Sequence, residues 1–302
     1  MSKSEGKRLI VVVGPTAVGK TKVGISLAKH FHTEVISADS RQFFKEMSIG
    51  TAKPDLEEQR GVPHHFIDFL PVAEDYNAGK YERDSLALLD QLFQKYDNAV
   101  MVGGSGMYVK AVCEGFDEMP EVPDNVRAEI VRDYEANGLS WLQQEVMEND
   151  PEYFALVDQM NPVRLMRALE IVRASGLPAS NFRVNKRVDR PFSIAKIGLE
   201  MDREELYERI DQRVDVMIDA GLIDEVQGLQ QFKTKNALQT VGYQELFDYF
   251  GGKHNLEEAI RLIKRNTRRY AKRQLTWFKR DEDIRWFRPD QLEEVITYLD
   301  GQ

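Results

Sequence analysis

Apolar positions along this chain alternate between two rhythms. Residues 9–13, Leu-Ile-Val-Val-Val, form an unbroken run that stops at Gly14, the pattern of a strand buried on both faces. Residues 20–31 then place Val23, Leu27 and Ala28 at helical spacing. Further short apolar runs at 34–37, 99–102 and 193–199 predict strands, with helical patterns between some of them. Such alternation predicts an α/β fold, a parallel sheet core flanked by helices, with binding residues at the carboxyl ends of the strands.

Residues 116–190 depart from that rhythm. They show no clear strand pattern and are punctuated by Pro120, Pro123, Pro151, Pro162 and Pro178, which predicts several short helices joined by tight turns. One helix is well marked: Asn161 is its N-cap, Pro162 takes the first helical position, and Gly176 with Pro178 ends it. Within it Leu165, Ala168, Leu169 and Val172 make an apolar stripe, with Arg164 and Arg167 on a neighbouring face. Because a strand follows at 193, the segment reads as an all-helical domain inserted into an α/β core of residues 1–115 and 191–302. Long helices return at 203–232 and 256–280, followed by a strand at 284–287 and a helix at 289–299.

Between the first strand and the first helix lies Gly14-Pro15-Thr16-Ala17-Val18-Gly19-Lys20-Thr21, a complete G-x-x-x-x-G-K-[ST] phosphate loop. Gly14 and Gly19 free the backbone to turn successive N–H groups inward as an anion nest, and the helix that follows adds its positive end. Lys20 offers a mobile charge to the terminal phosphates. The Thr21 hydroxyl is placed for Mg²⁺ or a phosphate oxygen.

Composition narrows the class without naming a reaction. With 302 residues, 42% hydrophobic and 30% charged, the chain has the makings of an ordinary globular protein with a large core. Its single cysteine, Cys113, excludes an intramolecular disulfide framework and a multi-cysteine zinc site. A reducing, cytoplasmic setting is expected, since residues 1–8 lack the apolar core of a secretory signal and no long apolar run could span a membrane. The chain is expected to work as a monomer. Its net charge of −9 is unevenly spread: residues 264–280 hold no acid and interleave basic residues with Tyr270, Trp277 and Phe278. Such a block is either a solvated helix face or a local attractor for a polyanion.

The loop alone announces ATP or GTP, and two absences argue otherwise. Many phosphate-loop enzymes hold Mg²⁺ with an Asp ending an apolar strand. Here the corresponding run, 99–102, leads instead into Gly103-Gly104-Ser105-Gly106, and there is no guanine-reading Asn-Lys-x-Asp. An acid does follow the second strand, in Ser37-Ala38-Asp39-Ser40-Arg41-Gln42. Beside a diphosphate, Asp39 could hold Mg²⁺ through water or accept a proton from a nucleophile; as an ordinary Asp-Ser pair it is a turn or cap.

Taken in order, the phosphate loop, Ser37 to Gln42, Ile49-Gly50-Thr51-Ala52-Lys53-Pro54, Val62-Pro63-His64-His65, Gly103 to Tyr108, Arg164 to Glu170, Val241-Gly242-Tyr243 and Tyr270-Ala271-Lys272-Arg273-Gln274 resemble the tRNA dimethylallyltransferase family, bacterial type. The resemblance runs from about residue 9 to residue 278. It implies that the phosphate chain belongs to dimethylallyl diphosphate, and that the acceptor is N6 of adenosine 37 beside the anticodon of a tRNA. By the same resemblance Asp39 is the general base. Lys20, Thr21 and the loop from Gly14 to Thr21 hold the diphosphate with Mg²⁺, and Arg209 or Arg213 adds charge to it. Contacts to the tRNA anticodon stem-loop are implied for Asp39, Ser40, Arg41, Gln42, Ser105, Arg127, Arg164, Arg167, Gly242, Tyr243, Lys272 and Arg273. Two departures from the family pattern stand out: Ser105 replaces a Thr and keeps the hydroxyl, and Phe43-Phe44 removes a Tyr hydroxyl. His64 and His65 are expected to be structural or beside the substrate rather than metal ligands. Residue chemistry leaves open an adenylate isopentenyltransferase acting on free AMP, ADP or ATP, a small-molecule kinase, and an RNA-binding ATPase.

Overall fold

A computed structural model describes residues 6–117, 119–183 and 187–302. The chain divides into two compact units, Met1–Glu114 with Asp189–Gln302, and Gly115–Val188. The first holds a six-stranded, wholly parallel sheet in the order β3-β2-β4-β1-β5-β6. Its strands are β1 (Arg8–Val13), β2 (Val35–Ser37), β3 (His64–His65), β4 (Asn98–Gly103), β5 (Ser193–Leu199) and β6 (Ile284–Phe287).

Central strand β1 shows why the run at 9–13 has no polar partner. Leu9, Val11 and Val13 face one core, with Ile36, Phe43, Met101 and Tyr81; Ile10 and Val12 face the other, with Val23, Leu27, Val100 and Ile197. All five are at most 1% exposed, and each such side chain contributes about 1.5–3 kcal/mol on leaving water. Val13 pairs in register with Gly103 and with Gly198, so the loop after β1 emerges level with the ends of both neighbours.

Helices α1 (Lys20–His30), α2 (Ala78–Leu92) and α3 (Gly106–Glu114) belong to this unit, as do α7 (Arg203–Asp219), α8 (Leu222–Gly228), α9 (Tyr243–Phe250), α10 (Leu256–Phe278) and α11 (Leu292–Asp300). The single helix expected over 203–232 is instead interrupted: Gly221 adopts φ +99, a conformation that ends α7 and starts α8, and residues 230–232 form a separate 3-10 turn. Among the described residues no helix is long and apolar enough to cross a membrane.

The Gly115–Val188 unit comprises α4 (Asp124–Asn149), α5 (Pro151–Leu156) and α6 (Pro162–Ser175), around a core that includes Ile130, Leu142, Val146, Tyr153, Leu165 and Leu169. Gly138, at φ 76 and ψ −170, breaks the helical path of α4. α6 is capped as its sequence predicts, the Asn161 side chain accepting from Arg164 N at 3.2 Å and Gly176 closing it with φ 73. Ile171, rather than Val172, completes its buried stripe, next to a buried Glu170.

Candidate active site

The phosphate loop owes its shape to two glycines. A Cβ on Gly14 would lie 2.6 Å from the carbonyl oxygen of Leu199, and Gly19 enters α1 with φ +105. Lys20 folds back so that its ammonium donates to the carbonyl of Pro15 at 2.7 Å, and Thr21 sits exposed in the first turn of α1. Gln274 of α10 ties this loop to the end of β4: its Oε1 accepts from Thr16 N at 2.8 Å and its Nε2 donates to the carbonyl of Gly104 at 2.9 Å.

Beyond the end of β2, Asp39 Oδ1 accepts from the backbone N–H of Arg41 at 3.1 Å, a local turn that keeps the carboxylate beside the strand end. Ser105 Oγ accepts from Ser40 N at 2.9 Å and lies 3.1 Å from Ser40 Oγ, so the hydroxyl retained at Ser105 joins the β4 loop to the segment after Asp39. Gln42 Nε2 donates to the carbonyls of Thr51 and Ala52, and Arg41 Nη1 donates to the carbonyl of Asn236 at 2.8 Å. From α7, Arg213 Nη2 reaches the carbonyl of Thr51 at 3.5 Å, while Arg209 Nη2 would be 3.8 Å from a Cβ placed on Gly19.

Lys20, Thr21, Asp39, Gln42, Ser105 and Gln274 are among the residues that line one cavity of about 770 Å³. Its charged lining consists of Lys20, Arg41, Arg209, Arg213 and Arg273 against a single carboxylate, Asp39. A local excess of four positive charges, on a chain of net −9, suits a polyanion and is not a general property of the surface. Ile210, Val214, Met217, Leu222, Val241 and Ile263 supply an apolar wall to the same cavity.

Electrostatics in the cavity are set by burial first. Removal from water pulls the Lys20 ammonium down to about 8; Asp39 opposes the shift and Arg213 adds to it. Burial also lowers Arg213 and Arg41, with Asp39 acting in the opposite sense on both. An anion entering here would meet cations that lack a full complement of counter-charge.

Other residues singled out by the sequence fall in different places. Arg273 lines the cavity, while Lys272, exposed on the same helix α10, does not. Arg127, Arg164 and Arg167 belong to the helical unit; Arg127 Nε and Arg167 Nη1 both pair with the buried Glu170, at 3.3 and 3.0 Å, whereas Arg164 is exposed. Gly242 lines the cavity, but Tyr243 corrects its expected role: the side chain is 0% exposed and its hydroxyl is committed to Glu225, so it has nothing to offer an RNA. His64 Nδ1 sits 2.8 Å from the carbonyl of Val62 and His65 Nε2 2.6 Å from Glu34 Oε2, a structural use of both. Phe43 and Phe44 are core residues, Phe43 stacking on Tyr81. Among the described residues no group of three His, Cys, Asp or Glu is placed to hold a metal. Mg²⁺ on a diphosphate needs no such set, because one or two protein oxygens complete a shell made mostly of water and phosphate; Thr21 and Asp39, both in the cavity lining, fit that requirement. The sequence gives no sign of the clamp made by Gln274, which stands in Tyr270-Ala271-Lys272-Arg273-Gln274, nor of the acceptor Glu225, one more acid in the first turn of a helix.

The IPP transferase family model matches residues 42–281. The chain is 51% identical over 296 residues to the tRNA dimethylallyltransferase of Cytophaga hutchinsonii, covering 98% of this chain and 97% of that protein. Among solved structures it is similar to the full-length tRNA isopentenylpyrophosphate transferase of Bacillus halodurans, with a TM-score of 0.73, 37% identity and coverage of 98% and 96% of the two chains. It is also similar to a eukaryotic dimethylallyltransferase acting on tRNA, with a TM-score of 0.77, 26% identity and coverage of 95% and 75%.

Proposed function

The chain belongs to the tRNA dimethylallyltransferase family, and on that premise we propose that it transfers the dimethylallyl group of dimethylallyl diphosphate to N6 of adenosine 37, next to the anticodon of a tRNA. The observation that carries this reading is one cavity lined by a phosphate loop, a strand-end carboxylate, an excess of cations and an apolar wall. Each feature meets a requirement of the reaction. The loop from Gly14 to Thr21 and the helix end of α1 receive the diphosphate, Lys20 and the arginines neutralise it, and the apolar wall suits a five-carbon chain.

An adenine amine is a poor nucleophile because its lone pair is delocalised into the ring. Orientation, proton removal and leaving-group stabilisation must therefore come from the protein. N6 attacks C1 of the allylic chain, the C1–O bond breaks, and its electron pair leaves on the diphosphate. Asp39 takes the N6 proton, and Lys20, Arg209 and Arg213 hold the charge that develops on the departing oxygens. Mg²⁺, held by Thr21 and the diphosphate oxygens, would share that charge, leaving Asp39 free to act as the base. A base stacked in an anticodon loop is out of reach and must be flipped into the cavity. Ser40, Arg41, Gln42 and Ser105 stand beside Asp39 to receive it, and Arg127, Arg164, Arg167, Lys272 and Arg273 offer charge to the RNA backbone. The chain is further proposed to act as a monomer in a cytoplasmic setting, where its tRNA substrate is found.

The test is product identification. The protein is incubated with dimethylallyl diphosphate, Mg²⁺ and either unmodified tRNA with adenosines at 36 and 37 or free AMP, and the nucleosides are identified after digestion. Prenylated adenosine from tRNA is expected. Prenylated AMP without prenylated tRNA would assign the adenylate reading instead, and phosphate transfer from ATP with no prenylation would overturn both.

A further inference from the structure

Two segments far apart in the sequence, Ile49-Gly50-Thr51 and Val241-Gly242-Tyr243, meet at one side chain. Glu225, on α8, accepts through Oε2 from the backbone N–H groups of Ser48 (2.9 Å) and Ile49 (2.7 Å). Its Oε1 accepts from Gly50 N (3.0 Å) and from the Tyr243 hydroxyl (2.6 Å). Four donors, three of them consecutive backbone N–H groups, converge on one carboxylate, which is the strong, charge-assisted kind of hydrogen bonding. The Tyr243 ring occupies the place a Cβ on Gly50 would need, 2.6 Å from its Cε2, so only glycine lets the segment lie this close. Burial and the Glu225 charge raise the Tyr243 hydroxyl far above the ordinary phenol range, so it remains a donor.

What the segment presents on its other side is functional. The Thr51 hydroxyl donates to the carbonyl of Met47 at 2.6 Å, and the Thr51 carbonyl accepts from Arg213 Nη2 at 3.5 Å and Gln42 Nε2 at 3.2 Å. Gly50, Thr51, Arg213 and Gln42 line the cavity, and Glu225 and Tyr243 do not. We infer that Glu225 is a positioning residue: by pinning residues 48–50 it fixes the Thr51 carbonyl against the Arg213 guanidinium and so sets where that cation meets a diphosphate. This rests on the proposed reaction only in identifying the anion. An apolar side chain of equal size would leave three backbone N–H groups without an acceptor, which is why a carboxylate stands here.

The experiment is a double-mutant cycle of Glu225→Gln and Arg213→Ala, read by dimethylallyl diphosphate affinity in calorimetry and by turnover with tRNA. In Glu225→Gln one end of the side chain still accepts from Ser48 and Ile49, but its NH2 opposes the N–H of Gly50. Diphosphate affinity and kcat/KM for the diphosphate should each fall on the order of 10-fold, with tRNA affinity unchanged. In the Arg213→Ala background the same substitution should cost less than about 2-fold, because the group it acts through is gone. Tyr243→Phe, which keeps the ring and removes one donor, should give a smaller loss of the same kind and serves if Glu225→Gln fails to fold. Equal losses in both backgrounds, or an undiminished diphosphate affinity in folded Glu225→Gln, would overturn the assignment. A wild-type protein that binds the diphosphate without prenylating tRNA would instead overturn the proposed function and leave the cycle to decide on Glu225.

Discussion

Raising the pH from 7 to 9 should weaken the hold on dimethylallyl diphosphate by about tenfold, and Lys20 is the reason. In the free protein its ammonium is pulled down to about 8, so it loses its proton across this range. A bound diphosphate places further negative charge beside Lys20 and raises its ammonium back toward the ordinary lysine range. With the proton held in the complex and lost from the free protein, affinity falls toward a factor of about ten for each pH unit above 8. The ligand contributes no competing change, because the last phosphate proton leaves at about pH 6. Nor do the other cavity groups: arginines keep their charge, and Tyr108 and Tyr270 are both pushed upward, away from the range. The stability of the free protein carries the matching sign. Below about 8 the folded state bears a charged, partly desolvated Lys20; from about 8 to about 10.5 the unfolded chain binds more protons than the folded one, so the free protein gains stability as pH rises. The thermal stabilisation given by the ligand should therefore shrink between pH 7 and 9. Calorimetric titration across that range measures the effect, with Lys20→Met as control. An affinity independent of pH in the wild type, or the same slope in Lys20→Met, would refute the reasoning.

Three further outcomes are expected. Asp39→Ala should lower kcat by roughly 10²–10⁴ while filter-binding affinity for tRNA stays near wild type; loss of binding instead would make Asp39 a structural or recognition residue. Gln274→Ala removes a buried group that bonds both Thr16 N and the carbonyl of Gly104, so it should cost roughly 1–3 kcal/mol in denaturant unfolding and raise KM for the diphosphate; an unchanged KM would show that the loop keeps its shape alone. Arg164→Ala should reduce the salt dependence of tRNA binding by about one phosphate contact with no change in Tm, whereas Arg167→Ala should also lower Tm because Glu170 loses one of its partners.

How much of this was legible in the sequence depended on whether local chemistry or long-range contact set the outcome. β1 and the phosphate loop were legible because an apolar run and a glycine-bounded loop are fixed by their own residues, and the parallel order of the sheet followed from alternation of strand and helix. The caps of α6 were equally local. The break at Gly221 was missed because the apolar periodicity of α7 resumes in α8 across a single left-handed glycine. β3 went unread, since two histidines have no strand pattern of their own and pair only because β2 lies beside them. Tyr243 resembles an RNA contact by its motif alone, whereas its burial is decided by Gly50, far away in sequence, and by Glu225 on another helix. Within the cavity, Lys20, Asp39, Arg209 and Arg213 were nameable in advance, but the way Thr51 and Gln274 hold them together required the fold.

The central claim is that this cavity breaks the bond between an allylic carbon and a diphosphate and gives the carbon to a tRNA adenosine. A single-turnover reaction with tRNA and dimethylallyl diphosphate labelled at C1 follows both products at once. The account predicts label on N6 of adenosine 37 and one unlabelled diphosphate released for each group transferred. Diphosphate released with no label on the tRNA, or label on a base other than that adenosine, would contradict it.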